Sequence, residues 1–133
     1  EMYFIEAEAT AQAGDIPGGI RLLNEFMNSY RMMRGTYDCS AKSTLKSFVN
    51  ELMLQKRVEF WGEGIVMFDM KRLDMSSKRG YVGTNAPASY RLNVEGRAPY
   101  WNFVIGRNEG QNNTVIATQN NPDPSGLVEP WKG

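Results

Sequence analysis

The amino-acid sequence predicts an all-α protein: a helical hairpin, two further helices, and then a long irregular, loop-rich C-terminal half containing short strands. Three observations carry this. Apolar residues recur at helical spacing through residues 1–75. Gly-Asp and Ser-Thr junctions fall where helices must stop and start. After Met75, glycine, proline, serine and asparagine arrive every few residues and no helical period survives. The chain thus reads as a helical part, 1–75, and a loop-rich part, 76–133, packed on the same domain, since 133 residues is one domain's worth of sequence.

The first helix is read in EMYFIEAEATAQAG. Met2, Ile5, Ala9 and Ala13 share one face at i, i+3, i+7 and i+11, and alanine and glutamate are good helix formers. Gly14 stands where a left-handed residue ends a helix, and Asp15 caps the next one, with Pro17 in its first turn. The second helix carries Ile16, Ile20, Leu23 and Met27 on one stripe, widened by Leu22, Phe26 and Tyr30. It is expected to run to about Met33 and stop at Gly35. Two antiparallel helices joined by Gly-Asp make a hairpin the size of a tetratricopeptide unit, and the alanines let its helices approach closely. No second copy of the hairpin follows.

Ser43 or Thr44 can cap a third helix, Thr44 to Trp61, about 27 Å long at 1.5 Å per residue. Leu45, Phe48, Val49, Leu52, Met53 and Phe60 give it a broad apolar face. Beyond Gly62 and Gly64 a fourth, short helix runs through Ile65, Val66, Met67, Phe68, Met70 and Leu73. Apolar on nearly every side, it is expected to be buried. Alternation then supports short strands at Arg91–Val94 and Trp101–Ile105. From Gly106 onward Asn, Gln, Gly and Pro dominate, and this end should hug other structure or fray. So long a structureless segment fits a wrap around a larger body.

Composition excludes several kinds of activity. Fifteen Lys and Arg balance fifteen Asp and Glu, a zero net charge that argues against a nucleic-acid partner. There is no histidine and one cysteine, which removes His-based acid–base chemistry, most zinc sites and any internal disulfide. Cys39, without an imidazole partner, is structural or incidental. With no paired nucleophile and base, metal cluster or phosphate loop, neither catalytic residues nor a cofactor are expected. No stretch approaches the ~20 apolar residues that span a bilayer. Because the chain opens on Glu1 rather than Met, it is read as part of a longer gene product, whose targeting segment would lie upstream.

Four segments, in order, carry a resemblance. QKRVEFWGEGIVMFDMKRLD, Gln55 to Asp74, resembles the conserved helix near the C-terminus of SusD/RagB-family proteins, roughly E-R-R-x-E-L-x-x-E-G-x-R-W-x-D-L-x-R. Arg57, Glu59, Glu63, Gly64, Phe68, Asp69, Lys71 and Arg72 fall in register, while Val66 and Met67 replace the family's arginine and the aromatic beside it. The ion pair of that arginine must therefore be absent. FVIGRNE, Phe103 to Glu109, is similar to the family's F-P-I-P-x-x-E with Val104 and Gly106 in place of both prolines. QNNP, Gln119 to Pro122, is similar to its terminal Q-N-P-G-Y, and EMYFIEAEATAQAGD resembles its E-x-Y-L-x-x-A-E-A-x-x-x-x-G-D helix.

The resemblance implies an outer-membrane, cell-surface lipoprotein of a Gram-negative bacterium that binds glycans or other nutrients. Such proteins sit as a lid over a SusC-like TonB-dependent transporter and are anchored only by a lipid on their N-terminus, which these residues would not include. The scaffold implied is a set of tetratricopeptide-like helical pairs, of which this chain holds the last. A helical face including Tyr3 and Ala7 would then be left exposed toward the preceding pairs.

Ligand handles are sought among the aromatics of the second half. Tyr81, Tyr90, Tyr100, Trp101 and Trp131 sit in polar, Gly/Pro-punctuated loops, where rings can dock the C–H faces of an oligosaccharide or polysaccharide. The competing reading is that they anchor coil onto the helices. Glu59 and Glu63, one turn apart, suit a charge network with Lys56, Arg57 and Arg72 better than a pair of glycosidase carboxylates, which must flank a scissile bond. Loss of Arg57 or Glu59 should accordingly harm folding rather than affinity. Asp69 and Arg72 suit an intrahelical ion pair. The alternative to a nutrient-binding lid is a tetratricopeptide-like adaptor for a protein or peptide, but an adaptor has little use for so long a loop-rich tail.

Overall fold

The computed structural model describes residues 1–31 and 35–133. They form two compact units, Glu1–Val66 and Met67–Gly133. The described residues are mostly helical, with one small two-stranded sheet.

The first unit contains α1 (Met2–Gln12), α2 (Ile16–Phe26), a π-turn (Met27–Arg31) and α3 (Leu45–Glu59). The α1–α2 junction is the one its residues predict. Gly14 takes φ +103° just past the end of α1, and the Asp15 carboxylate accepts the Gly18 N–H at 2.8 Å. The buried face of α1, however, is not the expected one. Phe4, Ala7, Glu8 and Ala11 are buried, whereas Met2 and Ile5 are 75% and 45% exposed and Ala9 and Ala13 are exposed. Ala7 is therefore packed inside the unit, and of the Tyr3 and Ala7 pair only Tyr3 is open to solvent.

The reason lies in a seam of small residues. A Cβ on Gly19 would lie 2.7 Å from the Ala7 carbonyl oxygen, 2.9 Å from Ala11 Cβ and 3.1 Å from the Phe48 ring. Three helices converge on a point where only glycine fits. Apolar periodicity gives most weight to Met and Ile, so it points away from a contact made by Ala and Gly.

α2 was expected to continue to Met33, an end that lies outside the described residues; its α-helical geometry stops at Phe26. The π-turn follows because Asn28 has a second task. Its Nδ2 donates to the carbonyls of Asn24 and Tyr37, both at 2.8 Å, and its Oδ1 accepts the Tyr37 N–H at 3.0 Å. That side chain ties the loop before α3 back onto the helix. Cys39 is buried in the same loop, with its N–H on Asn24 Oδ1, and burial pushes its thiol pKa up, away from a reactive thiolate.

Thr44, rather than Ser43, caps α3. Its hydroxyl accepts the Ser47 N–H while the Ser47 hydroxyl accepts its own N–H, a reciprocal capping box. Phe48, Leu52 and Met53 are fully buried with Phe4 and Leu23, and Phe4 meets Phe26 and Phe60 edge-on at 5.2 and 5.9 Å. The helix ends at Glu59, short of Trp61, which is 87% exposed.

Three expectations about the remainder are corrected. α4 (Val66–Arg72) has no buried residue, and Phe68 is 74% exposed. A helix that is apolar all round needs cover on every side, and the described residues do not supply it. Trp101–Ile105 is not a strand: Pro99–Trp101 is a 3-10 turn and Phe103 is 95% exposed. Instead β2 (Asn93–Val94), within the predicted Arg91–Val94, pairs antiparallel with an unanticipated β1 (Ser77–Lys78). Finally, the segment expected to be irregular after Gly106 contains α5 (Arg107–Asn112) and α6 (Thr114–Ala117).

The exposed Phe103–Ile105 backbone is satisfied by side chains. Asn120 accepts the Ile105 N–H at 2.8 Å and donates to its carbonyl at 3.0 Å, and Asn121 donates to the Phe103 carbonyl at 2.7 Å. The FVIGRNE and QNNP segments are thus two halves of one contact. Asparagine amides make the bonds that a neighbouring strand would otherwise make.

Candidate functional site

In the second unit the chain between β1 and β2 folds into an open cleft of about 340 Å³, lined by Lys78, Arg79, Tyr81, Thr84, Asn85, Ala86 and Pro87. Its shape is set from below by Asn93 on β2. Asn93 Oδ1 accepts the N–H groups of Arg79 and Gly80 at 3.0 and 2.8 Å, and its Nδ2 donates to the Gly80 carbonyl at 2.9 Å. Thr84 folds the rim over: its hydroxyl donates to the Arg79 carbonyl at 2.9 Å and accepts the Ala86 N–H at 3.2 Å. Arg91 Nε holds the far side through the Ala86 carbonyl at 3.0 Å.

Gly80, in this loop, has no room for a side chain. A Cβ there would fall 2.4 Å from Trp131 Cβ and 2.9 Å from the Arg91 carbonyl oxygen. Trp131 is held in place by its own N–H on Arg91 O at 2.8 Å and by the adjoining Leu92–Pro130 bridge. Trp131 thus packs against the Gly80 and Arg91 loop segments and not against a helix.

The four aromatic candidates have different surroundings. Tyr81 lines the cleft and is 49% exposed. Tyr90 ends the 3-10 turn Ala88–Tyr90 and is 59% exposed, but does not line the cleft. Tyr100 is half-buried, and Trp101 is buried at 9% exposure, its carbonyl accepting Lys71 Nζ at 3.0 Å. Sequence reasoning passed over Arg79, Thr84, Asn85 and the supporting Asn93. The available signal was the density of hydrogen-bonding side chains within three or four residues of Tyr81.

A larger cleft of about 610 Å³ opens in the first unit, beside Ile16, Pro17 and Ile20. Its amides are already committed. Asn24 donates to Asp38 Oδ1 and accepts the Cys39 N–H, and Asn28 grips Tyr37. A ligand there would compete with bonds that hold the fold, so size alone does not make it the better site. A third recess, of about 220 Å³, is bordered by the rings of Tyr3, Phe26 and Tyr30, which pack on one another at 5.0–5.8 Å.

The conserved-helix positions are distributed around structural tasks. Arg57 and Glu63 are exposed, and Gly64 takes φ +78° in the turn before α4. Asp69 and Arg72 form the expected ion pair at 2.9 Å. Glu59 is clasped by a partner that local spacing could not offer. Arg31, on the π-turn 28 residues upstream, donates Nε to Oε2 at 2.6 Å and a second N–H to Oε1. Of the two residues expected to matter for folding, Glu59 is ion-paired with Arg31 and Arg57 is exposed.

Arg31 holds the Glu59 carboxyl below its usual value of 4.5. A carboxyl whose pKa falls on folding stabilises the protein above that value, and the contribution is lost as pH drops through the lowered one. Glu59→Gln should be less stable than the parent at neutral pH, with the gap closing below pH 4.5. The Arg31 side chain is 44% exposed, so the gap is small. Urea midpoints of both proteins across pH 3–7 read it directly; a constant gap would place the pair outside the stability balance.

The family model described as the SusD family matches residues 1–125, through both units. No curated protein and no solved structure matches the chain. Among the described residues no helix is long and apolar enough to cross a membrane.

Proposed function

This chain belongs to the SusD family, and on that premise we propose that it is part of a cell-surface, nutrient-binding lipoprotein of the outer membrane that captures oligosaccharides for a SusC-like TonB-dependent transporter. Residues 1–75 contribute to its tetratricopeptide-like scaffold, and residues 76–133 shape part of the ligand face. Binding, not bond cleavage, is its task. Membership of a family of binding proteins supports this.

The observation that carries the glycan reading on this chain is the Tyr81 cleft. A half-exposed ring in a polar, backbone-braced loop offers an apolar face for sugar C–H groups, with Asn85 and Arg79 beside it to bond hydroxyls. Tyr81 is solvent-facing enough that its removal leaves folding untouched. Tyr81→Ala in the full-length protein should therefore lower affinity for a bound polysaccharide by about tenfold, roughly 1.4 kcal/mol, at an unchanged melting midpoint. Titration calorimetry checks this, and an unaltered affinity would move the ligand site off this cleft.

A further inference from the structure

Resting on the glycan-binding reading, we propose that the ligand is an acidic glycan, one bearing carboxylate or sulfate groups, and that Lys78 and Arg79 at the Tyr81 cleft receive its charge. The cleft is lined by two cations and no carboxylate, in a chain whose formal net charge is zero. Its positive character is therefore local and not a spill-over from a basic protein.

Among the described residues, no ion pair or side-chain hydrogen bond engages Lys78 or Arg79. Among the described residues, Arg31 is engaged by Glu59, Arg72 by Asp69, Arg91 by the Ala86 carbonyl and Arg97 by the Lys71 carbonyl. Lys78 and Arg79 are exposed and take part in none of the ion pairs. Two carboxylates close by in the sequence neither line the cleft nor pair with these cations among the described residues. Asp74 accepts the Arg97 N–H at 2.8 Å, and Glu95 accepts the Ser76 hydroxyl at 3.2 Å.

The backbone beneath these cations is fixed. The Arg79 N–H is shared between Leu92 O and Asn93 Oδ1, and its carbonyl takes the Thr84 hydroxyl. A guanidinium held at its root and free at its tip can form a two-bond fork to a planar carboxylate or to sulfate oxygens. An adjacent ammonium adds charge without directional demand. With Tyr81 offering a ring face alongside, the site matches a charged sugar better than a neutral one.

Affinity electrophoresis of the full-length protein in gels containing polygalacturonate, chondroitin sulfate, amylopectin or laminarin tests this. The expected result is retardation by an acidic polymer at least about tenfold stronger than by either neutral one. It should weaken about tenfold in the Lys78→Ala/Arg79→Ala double variant and fade with added salt. Arg79→Gln alone, with its melting midpoint measured, guards against misfolding of the double variant. Retardation by neutral polymers alone would overturn the acidic assignment and leave the glycan reading standing. Acidic binding that survives the double variant would overturn the assignment to this cleft, and binding to none of the polymers would overturn both readings.

Discussion

Truncating Phe48 to alanine is expected to destabilise the first unit by about 3–5 kcal/mol, the range for a fully buried aromatic. Phe48 has no exposed surface, and its ring stands 3.1 Å from where a Gly19 side chain would begin. The walls of the resulting cavity cannot close in cheaply. Gly19 already lies against the Ala7 carbonyl and Ala11 Cβ, so α1 and α2 are in backbone-level contact and have no slack to give. Phe48→Leu, which refills most of the volume, should cost under about 1.5 kcal/mol if repacking succeeds. Urea unfolding of the two variants separates the cases; a cost below about 1 kcal/mol for the alanine variant would mean the three-helix crossing is not the centre of the core.

Asn93→Ala is expected to loosen the cleft loop by about 2–3 kcal/mol, from three lost hydrogen bonds at roughly 1 kcal/mol each. It should lower glycan affinity by at least about tenfold, although Asn93 does not line the cleft. The three bonds, to the N–H groups of Arg79 and Gly80 and to the Gly80 carbonyl, sit immediately behind Tyr81. Asn93→Asp would set a second anionic oxygen against the Gly80 carbonyl, so it too should loosen the loop. Hydrogen exchange at the Arg79 and Gly80 amides reads the loosening, and calorimetry reads the affinity. Faster exchange with full affinity would mean that the loop's shape does not set the site.

Local chemistry was legible in the residues wherever a feature depends on neighbours in sequence. The Gly14–Asp15 junction, the Thr44 cap and the Asp69–Arg72 pair all act within about one helical turn. What escaped is what long-range packing decides. The buried face of α1 follows from Gly19, which carries no hydropathy signal. The partner of Glu59 comes from 28 residues away. α4 carries Val66, Met67, Phe68 and Met70, yet none of its residues is buried, because periodicity describes a surface and not what covers it. Trp101–Ile105 alternates like a strand but finds asparagine amides where a strand partner would be. At the site, Tyr81 was legible as an aromatic in a polar loop, whereas Asn93 acts through tertiary bonds to Arg79 and Gly80 and left no motif.

Under the proposed function, the protein binds glycan without cleaving it. The most direct measurement is affinity electrophoresis of the full-length protein against a panel of soluble polysaccharides, paired with an assay for released reducing ends on the same polymers. Retardation by at least one polymer with no reducing ends released is the predicted result. Mobility unchanged by every polymer, or retardation accompanied by steady release of reducing ends, would contradict it.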